Sequence, residues 1–183
     1  MALKATIFKA RIQLADMDRG LYADHALTLA RHPSETDERL LMRVLAFALN
    51  VPADDRDGTL EPGKGLSDTD EPDLWHRDLT GRIRHWVEVG QPDEKRLLRA
   101  AGRADQVTVY AYAASTPIWW SGIAGKIARA SNVHVWQVDA AQSRALAALA
   151  QRTMQLQVSV QDGTAWVGDG ERSVEITPHR LGN

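Results

Sequence analysis

The chain has 183 residues, a formal net charge of −2 and no cysteine. The absence of cysteine excludes disulfides, thiolate zinc sites and cysteine nucleophiles, and it fits a reducing compartment. The near-neutral charge argues against a strongly basic nucleic-acid-binding protein.

The length fits one domain, because domains commonly span about 100–200 residues, so we predict that residues 1–183 form a single domain. The N-terminus lacks the basic start and apolar core of a signal peptide. No apolar run approaches the roughly 20 residues of a membrane helix. We therefore expect a cytoplasmic protein with no membrane partner.

The first elements are a hairpin and a helix. Residues 3–14 and 21–31 flank a turn-like segment at 16–20 and predict an opening β-hairpin. Ser34 and Asp37 have capping-box spacing, and a helical apolar stripe follows them: Leu40, Leu41, Val44, Leu45 and Ala48. The helix should end before Pro52. Glu38 projects beside this stripe, where its carboxylate needs a partner.

A long acidic loop comes next. Residues 51–71 are rich in Pro, Gly and Asp, and long loops in compact domains are usually functional or disordered. Residues 54–73 hold eight acids and two bases, which leaves a charge of +4 on the rest of the chain. The segment is either a solvated loop, or it folds away, or it holds cations.

The middle of the chain alternates strands and helices. Short β-like runs flank 79–82, a helix opens at Pro92, and strands at 107–112 and 133–138 alternate with helices at 117–130 and 140–151. Alternating apolar residues and two Asp-Gly turns from 154 onwards predict a β-meander. The pattern predicts a mixed α/β fold: a central mixed β-sheet with flanking helices, an N-terminal hairpin and a C-terminal meander.

The hairpin at 72–90 holds the carboxylates of most interest. If Thr80-Gly81 is a two-residue turn, Trp75 faces Trp86 and Asp73 faces Glu88. Directly opposed residues have Cβ atoms roughly 4.5–5.5 Å apart. Two ionised carboxylates at that distance repel each other, so they need a cation or a shared proton.

A divalent metal would satisfy this need. Mg²⁺ is usually held by one or two carboxylates with water and substrate phosphates, so Asp73 and Glu88 are candidate ligands and Glu38 a further oxygen donor. Three alternatives stay open. A one-residue slip would separate Asp73 and Glu88 onto opposite faces, and the two acids could instead form ion pairs or lie at a solvated edge.

A basic helix face follows the hairpin in the chain, formed by Lys95, Arg96, Arg99 and Arg103. Such a face can contact phosphates, but it is also the ordinary pattern of a solvated helix surface.

Four segments together carry a family resemblance. They are Ala2-Leu3-Lys4-Ala5-Thr6-Ile7, Leu27-Thr28-Leu29-Ala30-Arg31-His32-Pro33-Ser34-Glu35-Thr36, Glu88-Val89-Gly90-Gln91-Pro92-Asp93-Glu94, and Ile118-Trp119-Trp120. The chain resembles the YaeQ family of bacterial proteins over nearly its whole length. The resemblance implies a variation of the PD-(D/E)XK restriction-endonuclease-like fold more than it implies an activity.

The same resemblance implies roles for particular residues. Pro72-Asp73 is similar to the Pro-Asp of the nuclease motif, and Glu88 is similar to its second acid. The motif lysine should stand two residues later, where this chain has Gly90. Lys95 is the predicted replacement and a candidate catalytic residue together with Asp73 and Glu88, although it projects away from the buried stripe of its helix.

Two functions follow as hypotheses. The first is a Mg²⁺- or Mn²⁺-dependent phosphodiesterase acting on nucleic acid. The second is a binding or regulatory module that keeps the nuclease-like fold without its chemistry and binds nucleic acid or a protein partner.

Overall fold

The computed structural model describes residues 4–182, so Leu3, near the predicted start of the first strand, lies outside them. Within this range the chain forms four α-helices and eleven β-strands in two sheets. The mixed α/β class is confirmed. The helices are α1 (Asp37–Asn50), α2 (Glu94–Arg103), α3 (Thr116–Ile127) and α4 (Ala140–Ala147). The strands are β1 (Thr6–Asp16), β2 (Leu21–Arg31), β3 (Leu60–Pro62), β4 (Leu74–Arg77), β5 (Ile83–Val89), β6 (Ala104–Ala111), β7 (Val133–Gln137), β8 (Thr153–Gln161), β9 (Thr164–Gly168), β10 (Ser173–Ile176) and β11 (His179–Leu181).

The chain divides into two compact units. The first unit comprises the residues up to Leu49 together with Asp139–Pro178, and the second comprises Asn50–Val138 together with the residues from His179 onwards. Each sheet lies within one unit.

The sheet of the first unit has the order β10-β9-β8-β1-β2. The opening hairpin pairs β1 with β2, and β8 joins β1 in parallel. Alternate residues of β1 and β8 are buried, which gives both strands an apolar face. The predicted N-terminal hairpin and C-terminal meander pair with each other through β1 and β8 and form a sheet of their own.

The predicted Asp-Gly turn between β8 and β9 is confirmed. Asp162 and Gly163 have φ angles of 52° and 75°, the backbone conformation that favours this dipeptide in hairpin turns. The carboxylate of Asp18 accepts hydrogen bonds from both of their backbone N–H groups, at 2.7 and 2.9 Å. The turn is thereby joined to the loop of the opening hairpin.

Helix α1 begins later than the predicted capping box. The hydroxyl of Thr36 accepts from the backbone N–H of Arg39 at 3.1 Å, so Thr36 caps the helix. Ser34, the predicted cap, instead contacts the ring of His32. Glu35 is buried and accepts from Arg39 and Arg43. Sequence spacing alone placed the cap two residues too early.

The sheet of the second unit has the order β11-β7-β6-β5-β4-β3. Strands β5, β6 and β7 are parallel, as the alternation of strands and helices predicts. Helix α2 packs against β6 and α3, and the core includes Trp86, Leu97, Val107 and Ile123. No helix within residues 4–182 combines the length and apolar character needed to cross a membrane.

Candidate functional site

The β4–β5 hairpin has the predicted register next to the carboxylates. Trp75 lies opposite Trp86, and Leu74 lies opposite Val87. The two indole rings meet edge to face, with centroids 6.1 Å apart. This pairing brings the residues that precede β4 next to the end of β5.

The other end of the hairpin differs from the prediction. The register shifts after His76, and the turn closes by hydrogen bonds between Asp78 and Arg82 and between Gly81 and Asp78. The carboxylate of Asp78 also accepts from the hydroxyl of Thr80 at 2.6 Å. The turn is therefore longer than Thr80-Gly81, because Asp78 supplies acceptors that organise a wider loop.

The Asp73 side chain is fixed at the start of the hairpin. Asp73 is fully buried, and its Oδ2 accepts from the backbone N–H of Val89 at 2.8 Å. Its backbone carbonyl accepts from Gly63 at 3.0 Å. The carboxylate thus has one orientation set by the main chain of β5.

The Glu88 carboxylate lies in β5, with only 4% of the residue's surface exposed. Its Oε1 accepts from the indole Nε1 of Trp86 at 2.8 Å and from Nε of Arg96 at 2.7 Å. Among the described residues no hydrogen bond reaches Oε2. The two donors thus converge on one oxygen of the Glu88 carboxylate.

The surroundings of Glu88 perturb the pKa of its carboxyl group. The pKa of Glu88 is raised from its ordinary value of 4.5 to about 7. Burial is the largest cause and the charge of Asp73 adds to it, while Arg96 and the hydrogen bond from Trp86 act in the opposite direction. Glu88 therefore exchanges a proton near neutral pH.

A glycine segment passes close to this pair. Gly65 has a φ of +50°, and a Cβ placed there would lie 2.7 Å from Oδ1 of Asp73. A Cβ on Gly63 would lie 2.2 Å from the carbonyl oxygen of Pro72. Gly63-Lys64-Gly65 resembles no phosphate-loop motif, but these contacts require the two glycines. Sequence reasoning missed them because the close approach depends on the hairpin register.

The acidic loop lies on helix α2. Arg96 donates from Nη1 to the carbonyl of Thr69 at 2.6 Å and from Nη2 to the carbonyl of Glu71 at 2.8 Å. Arg103 donates to the carbonyl of Asp70 at 2.9 Å, and Arg99 to the Asp70 carboxylate at 3.3 Å. The basic face predicted from the sequence thus contacts the acidic loop, and neither feature is simply solvated.

Lys95, a further predicted site residue, makes none of these hydrogen bonds. Lys95 is exposed on α2, while the neighbouring Arg96 holds Glu88. Gly90, at the position of the motif lysine, has a φ of +103° and donates to the carbonyl of Tyr110 at 2.9 Å. Glu38 lies in the first unit, where its Oε1 accepts from the Ser143 hydroxyl at 2.6 Å.

Asp73 and Glu88 are the two predicted site acids that the β4–β5 hairpin brings together. Within residues 4–182, no three His, Asp or Glu side chains form a group that could hold a metal ion. A metal held by Asp73 and Glu88 would fill its remaining positions with other oxygens.

Comparisons with known proteins agree over nearly the full chain. The profile described as "YaeQ protein" matches residues 1–178. Over 177 residues the chain is 45% identical to the "Uncharacterized protein YaeQ" of Salmonella typhi and 42% identical to that of Escherichia coli (strain K12). Each alignment covers 96% of this chain and 95% of the relative.

Two crystal structures are similar in fold. The YaeQ protein from Xanthomonas axonopodis pv. citri superposes with a TM-score of 0.89 at 48% identity, covering 96% of this chain and 97% of that one. The YaeQ protein from Pseudomonas syringae gives a TM-score of 0.90 at 35% identity, with 98% and 97% covered. With these matches in sequence and fold, the chain belongs to the YaeQ family.

Proposed function

We propose that this chain is a divalent-metal-dependent phosphodiesterase that acts on nucleic acid, and that Asp73 and Glu88 hold the metal, Mg²⁺ or Mn²⁺. The observation that carries this proposal is the buried carboxylate pair with the raised pKa of Glu88. Perturbed carboxylates of this kind are enriched at functional sites. A divalent cation between the two acids would remove their repulsion and favour the ionised form of both.

The donor set fits such an ion. Mg²⁺ commonly takes one or two protein carboxylates and fills its shell with water and substrate phosphates. Oε2 of Glu88 has no hydrogen bond among the described residues, so it is available as a ligand. When bound, the ion would lower the pKa of a coordinated water and stabilise charge on the phosphate. The third oxygen that we predicted from Glu38 remains a proposal.

Neighbouring groups of the chain orient the two carboxylates that we propose as metal ligands. The backbone N–H of Val89 orients the Asp73 carboxylate, and Trp86 orients that of Glu88. Because Asp73 is fully buried beneath Gly65, we infer that the 63–71 segment moves before a metal and a substrate reach the pair. Burial would then exclude water from the pair while the segment is closed.

The resemblance to PD-(D/E)XK nucleases that we infer from the sequence supports the same assignment. Pro72-Asp73 and Glu88 match the two acidic elements, and Gly90 occupies the position of the lysine. We propose that Arg96 supplies the missing positive charge, because its guanidinium contacts Glu88. Lys95, which the sequence predicts as the replacement for the motif lysine, is the competing candidate for this positive charge. The same experiment compares Lys95 with Arg96.

The test is a cleavage assay with labelled single-stranded and duplex DNA and RNA in Mg²⁺ or Mn²⁺. We expect metal-dependent cleavage that is lost in Asp73→Asn and in Glu88→Gln and retained in the control Asp55→Asn, an exposed acid of the same unit. Arg96→Ala should lower the cleavage rate more than Lys95→Ala does. A larger loss in Lys95→Ala would indicate that Lys95 supplies the positive charge. Cleavage that survives both carboxylate changes would come from a contaminant and would refute the proposal.

A second candidate is a binding module that keeps the fold without catalysis. Two observations favour it: Gly90 stands at the lysine position, and Arg96 already neutralises Glu88. This alternative predicts binding of nucleic acid or of a protein partner that Glu88→Gln leaves intact, with no cleavage in any metal. Metal-dependent cleavage by the wild-type chain would exclude it.

A further inference from the structure

Three arginines lie along one side of helix α2. Arg96, Arg99 and Arg103 are spaced by three and four residues, so their side chains are neighbours on the helix surface. Arg103 also stacks over the ring of Trp86, with its guanidinium carbon 5.1 Å from the centroid. We call these three residues the arginine row. Arg96, at the more buried end of the row, forms an ion pair with Glu88.

Apart from the Glu88 carboxylate on Arg96, the groups hydrogen-bonded to the side chains of the arginine row are oxygens of the acidic loop. Three are main-chain carbonyls, of Thr69, Asp70 and Glu71, at 2.6 to 2.9 Å. The fourth is the carboxylate of Asp70, 3.3 Å from Arg99. Closely spaced acceptor oxygens that include a negative charge are also what a phosphodiester backbone presents, and the guanidinium fork suits such groups.

The outer part of this contact is weakly held. The side chains of Arg99 and Asp70 are 57% and 73% exposed, and exposed ion pairs of this kind contribute little to stability. A polyanion could therefore replace the loop on Arg99 and Arg103 without disturbing a buried interaction.

We propose that the arginine row binds the phosphodiester backbone of a nucleic acid strand, and that Thr69, Asp70 and Glu71 occupy the row until a strand displaces them. This inference rests on the proposed function, because the row leads from the surface to the carboxylate pair through Arg96. In the absence of a strand, oxygens of the acidic loop accept the arginine hydrogen bonds that the phosphate oxygens of the substrate would otherwise accept. It also makes loop release and strand binding one event.

Strand binding can be measured without cleavage. The experiment is fluorescence anisotropy with a labelled single-stranded DNA in EDTA, over a series of salt concentrations. The variants are Arg99→Ala/Arg103→Ala, the conservative Arg99→Lys/Arg103→Lys, and Asp68→Asn/Asp70→Asn in the loop. The control is Arg129→Ala, an exposed arginine of the same unit with no hydrogen bond or ion pair to the described residues.

We expect the loop variant to bind more tightly than the wild type and the double alanine variant to bind at least tenfold more weakly. The slope of log affinity against log salt should fall by roughly 1.4, because each phosphate contact of a single strand contributes about 0.7. The lysine variant should recover part of the affinity and of the slope, and Arg129→Ala should match the wild type. Circular dichroism melts confirm that each variant is folded.

Two results would overturn the inference. One is an affinity unchanged by Arg99→Ala/Arg103→Ala, and the other is no binding by either the wild type or the loop variant. The outcome is separable from that of the proposed function. Strand binding that depends on Arg99 and Arg103, without cleavage, would support the arginine row as a binding site and contradict phosphodiesterase activity. Cleavage that does not depend on Arg99 and Arg103 would support phosphodiesterase activity and contradict strand binding by the arginine row.

Discussion

The guanidinium of Arg96 donates from Nε to Oε1 of Glu88 at 2.7 Å. Its two Nη atoms donate to the carbonyls of Thr69 and Glu71. A single side chain therefore joins a buried acid to the loop that covers it. We therefore expect the charge state of Glu88 and the position of the loop to be coupled through this contact.

Removing Arg96 should destabilise the fold in a pH-dependent way. At pH 8 Glu88 is largely ionised, and Arg96→Ala would leave a buried charge without its cation at a cost of roughly 1.5–3 kcal/mol. At pH 5 Glu88 is protonated and the loss should be smaller. Urea unfolding at both pH values measures the difference, and an equal loss at both would contradict the coupling.

The pH dependence of stability gives a second test. Between pH 4.5 and about 7 the folded state keeps a proton on Glu88 that the unfolded chain has released. The contribution of Glu88 to the free energy of unfolding therefore falls as pH rises through this window, by up to about 1.4 kcal/mol per pH unit. Glu88→Gln removes the titrating group.

Subtracting the Glu88→Gln profile from that of the wild type isolates this contribution, because other groups titrate nearby. His85 has its pKa lowered to about 4, chiefly by burial, so its contribution to stability rises between pH 4 and 6.5. Urea unfolding at half-unit steps from pH 4 to 8 should give a difference curve that declines from pH 4.5 to 7. A flat difference curve would show that the pKa of Glu88 is not raised.

Gly65 should be intolerant of a side chain. Gly65→Ala places a Cβ 2.7 Å from Oδ1 of Asp73 at a φ of +50°, and strain of this kind costs about 1–3 kcal/mol. Gly102→Ala is the matched control, since that glycine lies in α2 with open space around it, and alanine is favoured there by about 1 kcal/mol. Thermal unfolding of both variants measures the effects, and two similar melting temperatures would refute the close contact.

The register of the hairpin beside the two carboxylates could be predicted because it follows from local rules. A turn centred on Thr80-Gly81 fixes the partners of Trp75 and Leu74, and the structure has that register. The turn itself could not be predicted, because the hydrogen bonds of the Asp78 carboxylate shift the register beyond His76. A local side-chain interaction prevailed over the simplest turn geometry.

The sequence pattern does not predict which distant segments of the chain contact each other. The parallel pairing of β1 with β8 joins residues 144 positions apart in the chain, such as Lys9 and Thr153, and no periodicity specifies it. The contact of the acidic loop with α2 could have been predicted, because the sequence shows an acidic segment at 54–73 and a basic face on α2. Helical projection also places Arg96 within about 40° of the buried Ala100, which favours Arg96 over Lys95 as the cation near the core.

The most direct test of the central claim is calorimetric titration of Mn²⁺ at pH 8, where Glu88 is largely ionised, with wild type, Asp73→Asn, Glu88→Gln and the control Asp55→Asn. We predict that one ion binds to the wild type and to Asp55→Asn, and that this binding is lost in both site variants. At pH 6 wild-type binding should weaken, because protons compete for Glu88. Binding that persists unchanged in both site variants, or no binding to the wild type, would contradict a metal centre at Asp73 and Glu88.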